Sequence, residues 1–361
     1  MSRIIFIGTV FLLLLFLFPL KVSANDQKEQ YVKARVDDVI REETTRINST
    51  SIVRQEVSLR LLDSGKIVPS EIEFPSGSNQ ILKKGQVVIV NPQTIDEQTV
   101  YPIVDLYRVP SILVLAAVFV ITTLFVTTKK GALSFVSLGG SALVLFLYTV
   151  PQLLSGSQPF FVILASSLFI SAIVVYPAHG FSTLSHTAVA CMVITLAAVS
   201  ILSLVVVDFS KLSGAGSEEA VFLQLDPSIK LNLRSLLLGG MILATLSVLD
   251  DSVISQISVV RELKRANPKL QDRDLFLRGM EVGKDHVSTL VNTLFLAYAG
   301  ASLPLFLLFT QSSLPWWAAL NDQLVAEEVV RTLVGSIGLV LSIPLTTAVA
   351  SFVVSRRKML Q

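Results

Sequence analysis

The stretch LRSLLLGGMILATLSVLDDSVISQISVV, Leu233–Val260, is an apolar run of helical character interrupted by two adjacent carboxylates, Asp250 and Asp251. It is longer than the roughly 20 residues that cross a bilayer core, so it predicts a transmembrane helix. A carboxylate at the centre of such a helix costs about 2.5 to 3.5 kcal/mol on insertion scales, and a cost kept twice points to a use such as proton exchange or cation binding. The alternative is that the pair sits at the inner membrane surface and only solvates the helix end. Against that, the apolar run continues through Val253, Ile254, Ile257, Val259 and Val260.

Helical spacing divides the run into faces. Gly240, Ala244, Ser247, Asp251, Ser255 and Ser258 follow at steps of three or four, a stripe of small and polar side chains. Such a stripe either approaches another helix closely, with Gly240 and Ser247 as packing positions, or lines a wet cavity. Asp250 lies about 100° round the helix from Asp251, so the two carboxylates address different neighbours.

Six further apolar runs flank this one: Ser111–Val126, Leu133–Val150, Phe160–Tyr176, Ala188–Val207, Val287–Thr310 and Val329–Val354. The expectation is an all-α polytopic membrane domain, residues 109–361, with about seven transmembrane helices. Composition agrees: 52% of residues are hydrophobic and 16% charged, against roughly 25% charged in a soluble protein. With a net charge of +2 and its Lys and Arg residues confined to a few loops, the chain offers no basic face for nucleic acid. The single Cys191 supports neither a disulfide framework nor a cysteine zinc site, and His179 and His186 stand apart from any cluster, so no metal or cofactor is expected. Trp316 and Trp317 read as interfacial anchors.

Ahead of the membrane domain, residues 1–24 combine Arg3, an apolar stretch and Val22-Ser23-Ala24, the pattern of a signal peptide or a signal anchor. Residues 25–108 turn polar and alternate over Tyr31–Val36, Ile52–Leu61, Ile67–Phe74 and Gln86–Val90, with turn chemistry at Asp63-Ser64-Gly65 and Lys84-Gly85. This predicts a small extracytoplasmic β-rich domain, a barrel or sandwich, with a structural or docking role. Placing it outside puts Lys129, Lys130, the Arg261–Lys284 loop and Arg356, Arg357 and Lys358 inside, as the positive-inside bias of a bacterial-type cell membrane requires.

Three other groups could carry chemistry. The sixth span opens with Asp285 and His286 and continues through Thr289, Asn292 and Thr293; Asp285, Thr289 and Asn292 share a face that could meet the Asp251 stripe. Histidine is the side chain suited to proton exchange at physiological pH, so His286 could accept protons from the cytoplasm, or it is one of the polar residues expected at an interface. The last span has Glu327, Glu328 and Arg331 at its mouth, Arg331 either snorkelling or pairing with a carboxylate such as Glu327, then Gly335, Gly338 and Ser342, the glycines as packing positions. Between the fifth and sixth spans, Arg261–Lys284 reads as an amphipathic helix lying along the inner surface.

The segments Leu246–Gln256, Ala266-Asn267-Pro268, Val282-Gly283-Lys284-Asp285-His286, Leu290–Leu294, Ala297–Gly300 and Val330–Leu339 resemble the YibE/F-like family of multi-pass membrane proteins, from about Tyr101 onward. Lys284 stands where that family's pattern has arginine. The resemblance implies the membrane architecture and does not by itself supply an activity. A weaker likeness, of helix order and the Asn292-Thr293 pair, connects the chain with resistance-nodulation-division transporters and the SecD/SecF motor, and implies proton coupling.

The expected function is therefore a proton- or cation-coupled, transporter-like membrane protein acting on an ion or small molecule through Asp250 and Asp251, with Asn292, Arg331, Asp285 and His286 as further candidates. The rival is a non-transporting scaffold, assembly partner or regulator that binds another membrane subunit or a second copy. Enzymatic activity is not expected: an intramembrane aspartyl protease needs carboxylates converging from different helices, whereas Asp250 and Asp251 are adjacent on one.

Overall fold

The computed structural model describes residues 31–47, 50–75, 81–95, 98–225, 227, 229–311 and 313–356. The signal-like segment 1–24 lies outside the described residues.

Among the described residues, seven strands precede the helices: β1 (Val32–Ile47), β2 (Thr50–Leu61), β3 (Ile67–Pro75), β4 (Val87–Val90), β5 (Gln93–Ile95), β6 (Gln98–Val100) and β7 (Ile103–Leu106). Five form an antiparallel sheet in the order β3-β2-β1-β4-β7, and β5 pairs with β6 in a separate hairpin. The four alternating runs of the sequence lie in or overlap β1 to β4. The second half of β1 continues past irregularities after Val36 and Val39, and β5 to β7 are too short to show a period. Alternate side chains Ala34, Val36, Val57, Leu59, Leu61, Val68, Phe74, Val88 and Val90 pack one core. Inside it the Gln55 amide donates to Glu42 Oε2 (2.8 Å) and accepts from the Leu82 N–H (2.8 Å), so the buried polar group is satisfied. The sheet leads out through Asp105, whose carboxyl is held below the ordinary carboxylate range by hydrogen bonds from Arg108 and from the Leu106 N–H.

The helices are α1 (Val109–Val144), α2 (Val150–Leu154) after a π-helical turn at Leu145–Thr149, α3 (Pro159–His179), α4 (Thr183–Phe209), α5 (Glu218–Leu225), α6 (Leu233–Ala266), α7 (Asp272–Ala301), α8 (Leu303–Gln311), α9 (Trp316–Asn321) and α10 (Gln323–Arg356). The first half of α1, to Val126, belongs to the compact unit of the strands; residues from Thr127 on form the second unit. Thr128 (φ 54°, ψ −123°) breaks α1 into two stretches, Val109–Thr128 and Gly131–Leu154, each long and apolar enough to cross a membrane.

In the second unit α6 is the centre, with α3, α4, α7 and α10 against it. Leu237, Leu238 and Met241 pack with Val207 and Leu212 near one end, and Val253, Ile257 and Val260 with Val175, Ala188, Met192, Ala350 and Val354 near the other. Two readings of the sequence are corrected. Arg261–Lys284 contains no separate surface helix: α6 runs to Ala266, the Lys264 ammonium donates to the carbonyls of Pro268 (2.8 Å) and Leu270 (2.6 Å) to hold a short turn, and the amphipathic residues are the opening turns of α7. The single run Val287–Thr310 is broken, with α7 and α8 bent by 63° at Ser302.

Among the described residues, six helices meet the length and hydropathy of a span, and the bent pair is a seventh if it counts as one crossing. The packing of α6 on α10 decides this. Thr245 meets Gly338, Ser252 meets Ser342 and Gln256 meets Thr347, numbers rising together along both helices. The two are therefore parallel, and the chain must return from the end of α6 to the opposite end of the bundle before α10 begins. Among the described residues of that connection, α7 is the element long enough to cover the distance, its 30 residues spanning about 45 Å.

Candidate functional site

The buried arc of α6 is held by polar groups. Gln256, 1% exposed, donates from Nε2 to Thr347 Oγ1 on α10 (2.7 Å) and to the Gly279 carbonyl on α7 (2.8 Å), so one amide ties three helices. Glycines permit that approach. A Cβ at Gly283 would lie 2.6 Å from Ile343 Cγ2 and 3.0 Å from Gln256 Nε2, and one at Gly279 would lie 2.9 Å from Thr347 Cγ2. One turn along, Ser252 Oγ meets Ser342 Oγ at 3.3 Å. Gly338 faces Val199 and Thr245, where a Cβ would fall within 2.6 Å and 2.9 Å, and Gly335 faces Thr245 Oγ1 at 3.8 Å. Small residues therefore let helix backbones close up around hydroxyls and one amide, the packing that membranes favour.

The aspartates stand on the other side of α6, about halfway along it and roughly 25 Å from either end. Taking Gln256 as the centre of the buried arc, Asp250 is about 120° away in one direction and Asp251 about 140° in the other. Asp251 is exposed and Asp250 half-buried. Asp250 Oδ1 accepts only the N–H of its own neighbour Asp251, and no cation lies within ion-pair distance of either carboxylate among the described residues. Gly240, with nothing within 4 Å of a would-be Cβ, and Ser247, whose hydroxyl turns back to the Ala244 carbonyl, lie on the same outward arc. The contacts of α6 with α7 and α10 described above lie on the opposite arc, around Gln256, while Ser247 and Asp251 are exposed and Ser258, at the far end of the stripe, lies beside the α3–α4 turn.

The remaining candidates are dispersed. Asp285 and Asn292 are exposed on α7, whose buried residues, Leu275, Gly279 and Gly283, all fall in its first half. His286 is half-buried and its Nε2 is without a hydrogen bond. Arg331 pairs with Glu328. Glu327 instead is buried at 5% exposure and accepts the Gly214 N–H (2.9 Å) and Gln323 Nε2 (3.0 Å), docking the start of α10 onto the loop after α4. No hydrogen bond or ion pair among the described residues joins Asp250 or Asp251 to Asn292, Asp285, His286 or Arg331. Nor do any three His, Cys, Asp or Glu side chains among them gather into a set able to hold a metal.

Gln256, Gly279, Gly283 and Thr347 were not singled out by the charge-based reading of the sequence. The signal was there: Leu249, Ser252, Val253, Gln256 and Val260 recur at helical spacing as a second face of the same helix.

No curated protein and no solved structure matches the chain. The family model for YibE/F-like proteins does, over residues 115–356. That match takes in the helices from most of α1 to the end of α10, including both arcs of α6, and the chain belongs to the YibE/F-like family.

Proposed function

We propose that this protein is a proton- or cation-coupled transporter of the cell membrane, with Asp250 and Asp251 as the groups that take up and release the coupling ion. The observation that carries the reading is the position of two carboxylates midway along a membrane-spanning helix with no cationic partner among the described residues. An uncompensated pair in a bilayer is expensive to keep, and reversible binding of a proton or cation removes the charge. Packing leaves the Asp250–Asp251 arc outside the Gln256 contacts, so ion binding there need not disturb the α6–α7–α10 core. The Lys and Arg distribution supports an orientation with the sheet outside and the end of α10 inside. In proteoliposomes, Asp250→Asn and Asp251→Asn should each abolish most of the proton-coupled flux of the full-length chain; unchanged flux in both variants would overturn the proposal.

A second reading is favoured by the outward stripe itself. Gly240, Ala244 and Ser247 form the kind of small-residue surface that another membrane helix covers. On this reading the protein is an assembly partner or regulator, and its function survives loss of both aspartates while a stoichiometric subunit co-purifies in mild detergent.

A further inference from the structure

Between the α3–α4 turn and the last turns of α6 lies a cavity of about 70 Å³, lined by His179, Ser182, Ser185, Ser258 and Arg261, with Ile254 among its apolar walls. Among the described residues its polar lining is one-sided: hydroxyls, an imidazole and a guanidinium, with no carboxylate. Three helices contribute. His179 closes α3, Gly180 turns the chain at φ 71°, and Ser182 caps α4, its Oγ accepting the Ser185 N–H (3.1 Å) and meeting Ser185 Oγ at 2.9 Å. Ser258 and Arg261 come from α6. The Arg261 guanidinium uses Nε for Glu262 (3.2 Å), a carboxylate it shares with Arg265 (2.9 Å), and its two Nη groups carry no hydrogen bond among the described residues. Positive charge is thus in excess at the cavity wall.

We propose that this cavity binds a phosphate group, held by the Arg261 Nη donors, the Ser258 hydroxyl and whichever of the paired Ser182 and Ser185 hydroxyls does not donate to the other. Arginine suits the role because its forked donors match phosphate oxygens. The cavity is small and opens to the surface, which suits a phosphate group presented either by a free ion or by a larger molecule that extends outside it. The first turn of α4 adds the partial positive charge of a helix N-terminus. Both inorganic phosphate and a phospholipid headgroup present this chemistry, and a basic pocket between transmembrane helices is a recurrent headgroup site. The inference does not depend on the transport reading, as it uses none of the aspartates.

The full-length chain in phospholipid-free detergent is titrated with inorganic phosphate, and in a second arm is placed in phosphatidylcholine nanodiscs with or without phosphatidylglycerol, retained lipid being counted by native mass spectrometry. Arg261→Gln should weaken binding about tenfold or more, as loss of a charged hydrogen bond does. Arg265→Gln, which shares Glu262 but does not line the cavity, should leave it unchanged. Ser258→Ala, which keeps the charge and removes a donor, should weaken it a few-fold and decides the matter if Arg261→Gln misfolds. Binding of free phosphate assigns a soluble anion, and binding confined to phosphatidylglycerol assigns a headgroup. No binding by the unaltered chain in either arm, no change in the variants, or an equal loss in Arg265→Gln would overturn the proposal.

Discussion

Gln256 and Asp251 are five residues apart on one helix and face opposite fates. The amide is buried and answered on two neighbouring helices, while the carboxylate is turned outward. Replacing Gln256 with leucine removes both inter-helix hydrogen bonds and should lower the stability of the purified protein by about 1 to 2 kcal/mol, since such bonds average about 0.6 kcal/mol in membranes; a thermal melt in detergent reads it. The two glycine environments give a sharper pair. Gly338→Ala forces a methyl within 2.6 Å of Val199 Cγ2 and 2.9 Å of Thr245 Cγ2, and overpacking of that kind costs about 1 to 3 kcal/mol. Gly240→Ala meets nothing within 4 Å, and should be neutral or gain up to about 1 kcal/mol from helix propensity. If Gly240→Ala instead dissociates a purified complex, the outward stripe is a subunit contact. Asp250 and Asp251 were legible in the sequence because a charge in an apolar run is conspicuous. The spacing of Leu249, Val253 and Val260 places Gln256 on a second face, but its role as a three-helix tie shows only once its partners, Gly279 and Thr347, are known.

At the level of elements, hydropathy found the spans and missed where they bend. The run Val287–Thr310 is continuous in composition, and nothing in its apolar character marks the 63° break at Ser302. The opening turns of α7 misled for the opposite reason: their amphipathic pattern is the same whether the helix lies on a membrane surface or rises out of it, and only Gly279 and Gly283 against α6 and α10 distinguish the two. The parallel pairing of α6 with α10 is directly testable. In a Cys191→Ser background, Ser252→Cys with Ser342→Cys should form an intramolecular disulfide under mild oxidation, as the two hydroxyl oxygens are 3.3 Å apart. Ser247→Cys with Ser342→Cys should not, because Ser247 is on the outward arc. Absence of the first cross-link would remove the parallel arrangement and with it the count of seven crossings.

For the molecule as a whole, parity follows from that count. Maleimide that cannot cross membranes should label Ser64→Cys in intact cells, and Lys269→Cys only after permeabilisation, if the Lys and Arg distribution sets the orientation. Labelling of both before permeabilisation would reverse the assignment for the α6–α7 turn. The sheet and its order of strands were only partly readable, because β5, β6 and β7 contain three or four residues each, too few for alternation to emerge. The parallel course of α6 and α10 has one more effect. Helix dipoles that point the same way add, so the starts of both helices bring partial positive charge to one end of the bundle. Glu327 is buried at that end without a cation among the described residues, accepting the Gly214 N–H and the Gln323 amide. Its two donors come from the loop after α4 and from Gln323 in the first turn of α10, so the carboxylate serves as a latch that ties the start of the last span to that loop.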